Sequence, residues 1–370
     1  MHRLRGLLRA AALTVGSSLF FGIAGFEIVS RFAGLALPTF DDPKDRQALF
    51  AYDANKGWFH TKGAHATRYI AGPDAGTVRI NSFGLRGPEI RRRPAPGVKR
   101  ILVLGDSFAF GPGLDYVHTF STNLGRNLGR GYEVVNMGVF GYSTDQELLL
   151  FEDLGAKLHP TLVLLLMCDN DFEANTQDFV FYMHYKPYFE LDANRHLVRR
   201  NRPVPRLSFL ERTRLWLGRH SNTWKLIRAI GMGRRRPHEV EPVRPWLYDL
   251  TSVAISRPST PDVRLTARLV SALRGRVKNA GAAFVVLNAA ERSEQTGLFR
   301  QLRKRFKRSG IEWFPLEDVL RNARKNNPKG LWDFPGDRHW NVDASALAAR
   351  TVAGYLRERG FNLEPRPVKP

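Results

Sequence analysis

Arg100-Ile101-Leu102-Val103-Leu104-Gly105-Asp106-Ser107-Phe108-Ala109-Phe110-Gly111 is the stretch that decides the fold. Its first half is an unbroken aliphatic run, the pattern of a strand covered on both faces in a parallel sheet. Its second half turns small and polar where the run ends. Open parallel sheets place their sites beyond the carboxyl ends of the strands, so chemistry is expected from Gly105 onward. The same punctuation recurs downstream. Strands are expected at 132–136, 161–167, 283–287 and 311–314. The second leads into Asn136-Met137-Gly138-Val139-Phe140-Gly141-Tyr142-Ser143, and the third into Cys168-Asp169-Asn170-Asp171. Helical periodicity fills 120–128, 144–158, 263–280, 298–309 and 344–359. Ser143 or Thr144 is expected to cap the helix at 144, with Gln146 or Glu147 reaching back. Strand and helix alternating through short connections give a parallel sheet with right-handed crossovers.

The alternation stops at about 172–260, a stretch too long for a plain loop and therefore an insertion. It carries Phe179, Phe181, Tyr182, Tyr185, Tyr188 and Phe189 within a short span. These read either as a small subdomain core or as a wall over Ser107 that sets specificity. Amphipathic stretches are expected near 209–217 and 224–230. Upstream, residues 38–98 are mixed in character, with one strand candidate at 76–81 and a basic, Pro-rich linker from Arg91 to Lys99.

Four clusters carry groups suited to acyl transfer: the two named after the first and second strands, the Cys168–Asp171 stretch, and Asp333-Phe334-Pro335-Gly336-Asp337-Arg338-His339-Trp340-Asn341 before the last helix. A serine hydroxyl is a weak nucleophile and needs a base within hydrogen-bond reach. His339 can take the Ser107 proton, and Asp337 can hold the other imidazole nitrogen. An oxyanion needs fixed donors, for which the Ser107 and Gly141 backbone N–H groups and the Asn170 side-chain amide are the candidates. The plainer readings are that Ser107 only caps the following helix, that Asn170 only caps a strand end, and that Asp106 and Asp171 are structural. Cys168 reads as a small buried residue. Histidines His60 and His65 are five apart, no metal-ligand spacing occurs, and no phosphate-cradling or dinucleotide loop is present, so neither metal nor cofactor is expected. Ala109 breaks the Gly-x-Ser-x-Gly elbow and disfavours the α/β-hydrolase fold.

In content and order, Gly105-Asp106-Ser107, Gly141, Asn170-Asp171 and Asp337-Arg338-His339 resemble the blocks of the SGNH/GDSL hydrolases. Asn81-Ser82-Phe83-Gly84-Leu85-Arg86-Gly87 resembles a bacterial membrane-anchored branch of that family. The resemblance covers roughly 99–360 apart from the insertion. It implies a flavodoxin-like three-layer α/β/α fold with a five-stranded parallel sheet of order 2-1-3-4-5, with Ser107 as nucleophile, Gly141 and Asn170 in the oxyanion hole, and Asp337 and His339 completing a triad. Cys168 stands where the family has glycine. The acid lies two residues before His339 rather than three, a form that resembles polysaccharide O-acetyltransferases and leaves Asp333 as another third member.

The chain has 370 residues, 43% of them hydrophobic, enough for one large core or two modest ones. With 57 Lys and Arg against 35 Asp and Glu, the net charge is +22, which favours anionic partners. The basic clusters are short and lack interleaved aromatics, so nucleic acid is not the expected partner. Cys168 is the single cysteine, so no intrachain disulfide forms. Residues 10–26 are uncharged behind Arg3, Arg5 and Arg9, and ~17 apolar residues is the lower limit for a spanning helix. No Ala-x-Ala site follows, so an uncleaved anchor is favoured over secretion after signal cleavage. The basic N-terminus then stays in the cytoplasm and the rest lies in the periplasm of a bacterial inner membrane. The expected organisation is an anchor at 1–37, the mixed region at 38–98 and a catalytic domain at 99–370. The expected activity is hydrolysis of an ester, with O-acetyl groups on a cell-envelope glycan as leading substrate. O-acyl transfer, lysophospholipid hydrolysis and non-catalytic glycan or membrane binding are the alternatives.

Overall fold

The computed structural model describes residues 2–35, 48–66, 76–180, 184–232, 261–289, 296–327 and 339–360. At its centre lies a five-stranded sheet: β1 (Lys99–Gly105), β2 (Tyr132–Asn136), β3 (Leu162–Met167), β4 (Ala283–Asn288) and β5 (Glu312–Phe314). The strand order is 2-1-3-4-5 and every neighbouring pair is parallel, as expected. Leu102 sits between Val135 and Val163, and Val286 between Leu165 and Trp313. In chain order the longer helices are α1 (His2–Phe32), α2 (Phe120–Leu128), α3 (Thr144–Asp153), α4 (Phe209–His220), α5 (Asn222–Met232), α6 (Val263–Asn279), α7 (Thr296–Ser309), α8 (Leu316–Asn326) and α9 (Val342–Glu358).

Successive strand residues point to opposite faces, and the core divides accordingly. Leu102, Leu104, Val163, Leu165 and Val286 face one layer, built with α3, α6 and α7. Ile101, Val103, Leu164, Leu166 and Val285 face the other, built with α2, α8 and α9. The inner face of α9 is nearly all alanine (Ala344, Ala348, Ala349, Ala353) with Val352, which lets α9 lie close against α2. A continuous apolar strand is stable only because both faces are covered.

The chain divides into two compact units. One holds the sheet, its helices and the hairpins flanking them. The other is built from α1 with α4 and α5, so the insertion expected at 172–260 is shared. Its first part stays with the sheet unit, where Phe179 and Phe189 are buried and Tyr185 packs edge-on to Phe179. Phe181 and Tyr182 lie outside the described residues. Its helices at 209–232 group with α1. Within α1, Leu13–Phe32 is long and apolar enough to cross a membrane.

Three local expectations change. The helix from 144 ends at Asp153 and continues as a 3-10 turn, Gly155–Leu158. Neither Ser143 nor Thr144 caps it by side chain, and neither Gln146, whose amide donates to Lys56 O, nor Glu147 reaches back. The Asp171 carboxylate from the β3 loop accepts Thr144 N–H at 2.7 Å, and Asn175 Oδ1 accepts Asp145 N–H at 3.1 Å. A buried helix start takes its acceptors from whatever packs on it, and here that is the neighbouring loop. The strand candidate at 76–81 reduces to Val78–Arg79, paired with His65–Ala66, plus a bridge from Ile80 to Arg86. Unanticipated are α8 and the hairpin of Phe50–Asp53 with Gly57–His60.

Candidate active site

Ser107 opens a single helical turn, Ser107–Phe110, directly after β1. The cap of that turn is Asp106, whose Oδ1 accepts Phe108 N–H at 2.9 Å, so the Ser107 hydroxyl is not used in capping. It lies instead 2.7 Å from His339 Nε2, across 232 residues of sequence. Ser107 is 8% exposed. The His339 ring lies between Phe108, at 5.2 Å, and Phe140, at 6.0 Å between centroids. Trp340 is buried beside it against Phe108 and Phe120. Aromatic contacts of this kind hold an imidazole in one orientation. Asp337 and Asp333 lie outside the described residues.

The loops after β2 and β3 converge on the same place. Asn136, buried at the end of β2, donates to Ala109 O at 2.8 Å and accepts Gly138 N–H at 2.9 Å. The loop can come this close because position 138 is glycine: a Cβ there would stand 2.2 Å from Phe110 N. Phe140 then reaches His339, and Gly141 follows with φ 77°, in the left-handed region that favours glycine. From the β3 loop, Asn170 Nδ2 donates to Asp106 Oδ2 at 3.0 Å. Cys168 Sγ donates to Asp106 Oδ1 at 3.4 Å. The structure therefore brings Asn170 to the residue preceding Ser107, and Gly141 to the residue beside the His339 contact.

Behind the serine is a buried carboxylate group. Burial raises the Asp106 carboxyl above its ordinary range, against the hydrogen bonds it accepts from Phe108, Asn170 and Cys168. Burial and the adjacent Asp106 raise Asp171 to about 7. Burial and these same carboxylates raise Glu147 well above its ordinary value, and neither of its oxygens has a hydrogen-bond partner, which favours its neutral form. Burial among carboxylates likewise pushes the Cys168 thiol well up, which keeps it a protonated donor rather than a nucleophile. Asp145, beside them, is paired with the fully buried Lys186. Among the described residues no group of three His, Cys, Asp or Glu could hold a metal ion.

Two structural supports have no assigned role in the sequence reading. Asn136 is one, quoted there only as the start of the cluster after the second strand. Arg86 is the other, 2% exposed, whose guanidinium donates to Phe110 O at 2.7 Å and to Gly111 O and Leu114 O, carbonyls at the end of the Ser107 turn and in the turn that follows it. It also lies 4.8 Å over the Phe110 ring. The sequence signal was the Asn81–Gly87 segment, whose Asn81 Oδ1 accepts Phe83 and Leu85 N–H and shapes the turn that delivers Arg86. A cavity of about 360 Å³ lined by Ile90, Arg93, Val98, Arg100 and Glu133 lies at the opposite ends of β1 and β2 from Ser107.

No protein-family model matches the sequence, and no curated protein matches it. Among solved structures the chain is similar to TesA, with 13% identity and a TM-score of 0.39 over 70% of this chain and 99% of that one. It is similar to the acetyl xylan esterase AlAXEase, with 14% identity and a TM-score of 0.39 over 70% and 99%. Est24, a carbohydrate acetylesterase from Sinorhizobium meliloti, gives 12% identity and a TM-score of 0.37 over 70% and 99%.

Proposed function

We propose that the chain is a serine ester hydrolase working through an acyl-Ser107 intermediate. The observation that carries this is the 2.7 Å contact between Ser107 Oγ and His339 Nε2, a nucleophile and base in hydrogen-bond reach at the carboxyl end of a parallel sheet. In the first half-reaction Nε2 takes the hydroxyl proton as Oγ bonds to the ester carbonyl carbon. The oxyanion is stabilised by the Ser107 and Gly141 backbone N–H groups and by the Asn170 amide. Asp106, held to Phe108 N–H, fixes the Asn170 amide beside the nucleophile. The intermediate collapses as the alcohol leaves with the Nε2 proton. In the second half, water gives a proton to Nε2 as its oxygen bonds to the acyl carbon; the acyl–Oγ bond then breaks, Oγ takes the proton back from Nε2, and the carboxylic acid leaves free Ser107 and neutral His339. Asp337 is assigned as the group that orients His339 and stabilises its charged form.

The anchor reading of α1 places this site on the outer side of the membrane, since Arg3, Arg5 and Arg9 favour a cytoplasmic N-terminus. That location and the basic surface favour O-acetyl groups on an anionic cell-envelope glycan as substrate. The test is labelling of the full chain in detergent with a fluorophosphonate, with hydrolysis of p-nitrophenyl acetate measured alongside. Wild type is expected to label. Ser107→Ala is expected to abolish labelling, and both Ser107→Ala and His339→Gln to lower kcat by about 10⁴-fold or more. Absence of labelling in folded wild type, or labelling that survives Ser107→Ala, would refute the assignment.

A further inference from the structure

The unit formed by α1, α4 and α5 contains a polar clasp in an otherwise apolar helix. Glu27 Oε2 accepts Thr223 N–H at 2.9 Å, and the Ser221 and Thr223 hydroxyls each at 3.0 Å. Glu27 Oε1 accepts Asn222 N–H at 3.0 Å and pairs with Arg31 at 2.7 Å. One turn along, the buried Ser30 Oγ accepts Asn222 Nδ2–H at 3.0 Å, and Arg31 donates to His220 O. Glu27, Ser30 and Arg31 share one face of α1. Of the three, Glu27 takes the first two N–H groups of α5, Asn222 and Thr223, where a carboxylate suits the helix dipole. A carboxylate in a spanning segment is costly unless it is partnered, and Glu27 is fully partnered by the α4–α5 junction.

The outward side of the same unit is apolar. Phe209 is 78% exposed and Trp216, two turns on, 58%, with Leu210 and Ile230 also exposed. Phe209, Arg212 and Trp216 lie along one face of α4 by their helical spacing. The hairpin carries Arg212, Arg214, Arg219, Lys225 and Arg228 against Glu211 alone. Apolar and tryptophan residues interleaved with Arg and Lys are the composition of a helix lying in the headgroup layer, with basic side chains snorkelling to phosphates. Glu27 is five residues from the end of the apolar stretch Leu13–Phe32, or ~7 Å at the helical rise. That is about the depth of one interfacial layer.

We propose that α4 and α5 form a collar seated in the anionic lipid headgroup layer and clasped to α1 by Glu27. This rests on the reading of α1 as a spanning anchor and deepens it. The collar makes α1 a retained structural part of the folded protein, since removal of α1 would take the Glu27 carboxylate from the Asn222 and Thr223 N–H groups and leave α5 with only its local cap, Ser221 Oγ on Trp224 N–H.

The full chain in vesicles of phosphatidylethanolamine and phosphatidylglycerol tests this. Phe209→Cys and Trp216→Cys, both at exposed positions, are labelled with a polarity-sensitive fluorophore, with Lys62→Cys as the reference for a water-exposed site. Cys168 is buried and does not compete. Labels at 209 and 216 are expected to be quenched several-fold more than the reference by lipid spin-labelled near the headgroup, and several-fold less by iodide. Glu27→Ala is expected to raise iodide quenching at 216 several-fold while the chain still resists an alkaline carbonate wash. Reference-like iodide quenching at 209 and 216 in a wash-resistant chain would overturn the collar and leave the anchor standing. Unchanged quenching in Glu27→Ala would overturn the clasp. A chain released by the wash, or shown by mass spectrometry to lack its N-terminal residues, would overturn the anchor reading and the collar with it.

Discussion

His60 is 3% exposed and enclosed by the rings of Phe50, Phe59 and Phe110. Its Nδ1 lies 2.9 Å from Gly84 O. Burial, reinforced by the nearby Arg86 charge, lowers its imidazole from 6.5 to about 4. The folded state therefore takes up a proton less readily than the unfolded chain. The stability this confers is complete above pH 6.5 and is lost as pH falls from 6.5 through 4. The gap corresponds to roughly 3 kcal/mol. Urea unfolding of the full chain across pH 4 to 7 is expected to show this acid limb, and His60→Gln, though less stable throughout, is expected to flatten it. A variant with the wild-type slope would show that another group sets the limb. The residue also marks a limit of sequence reading. His60 and His65 could be judged unsuited to a metal from their spacing alone. That His60 is a neutral packing element next to Arg86 depends on rings contributed by residues 50 and 110, which no local pattern connects.

At the scale of elements, the start of α3 is held from outside. Asp171 accepts Thr144 N–H and Oγ–H and Cys168 N–H at 2.7, 2.8 and 2.9 Å, so it fixes α3 and the loop bearing Asn170 at once. Asp171→Ala leaves buried donors without acceptors and is expected to destabilise by about 2–4 kcal/mol. The size of the loss should depend on pH. Burial and Asp106 raise the Asp171 carboxyl from 3.8 to about 7, so its stabilisation is complete below pH 3.8 and declines as pH rises through 7. The difference between wild type and Asp171→Ala, read from denaturant midpoints at constant slope, is therefore expected to be larger at pH 5 than at pH 8. A difference that grows with pH would reverse the assignment. The same cap shows why the helix at 144 was legible while its capping was not. Periodicity placed the element within a residue or two at its start, but Ser143 and Thr144 are good caps only by type. Asp171 comes from 27 residues away and outcompetes them. By contrast the apolar face of α8, Leu316, Val319, Leu320 and Ala323, stands at helical spacing in the sequence itself. The helices at 209–232 were visible as amphipathic stretches. Their partner α1 lies about 190 residues earlier, and the Glu27 carboxylate that joins them is invisible to any window.

For the molecule as a whole, the parallel sheet follows from the alternation of aliphatic runs and helices, its strand order was implied by the family resemblance, and the candidate site residues stand at the strand ends. The charge is the property that neither explains. Of the net +22, a concentrated part lies on α7, where Arg300, Arg303, Lys304, Arg305, Lys307 and Arg308 surround a buried stripe of Phe299, Leu302 and Phe306. Solvated charges of one sign contribute little to holding a fold and act through the field they project. That field attracts anionic substrates and is screened beyond ~8 Å at physiological salt. If the proposed esterase acts on an anionic acylated glycan, kcat/KM for that substrate should fall by about tenfold between 50 and 500 mM NaCl. Hydrolysis of neutral p-nitrophenyl acetate by the same preparation should change by less than about twofold, because no long-range attraction is involved. Lys304→Glu combined with Lys307→Glu, both exposed on α7, should weaken the salt dependence for the anionic substrate and leave the neutral ester unaffected. Equal salt dependence for the two substrates would detach the charge from catalysis and confine its role to holding the protein against an anionic surface.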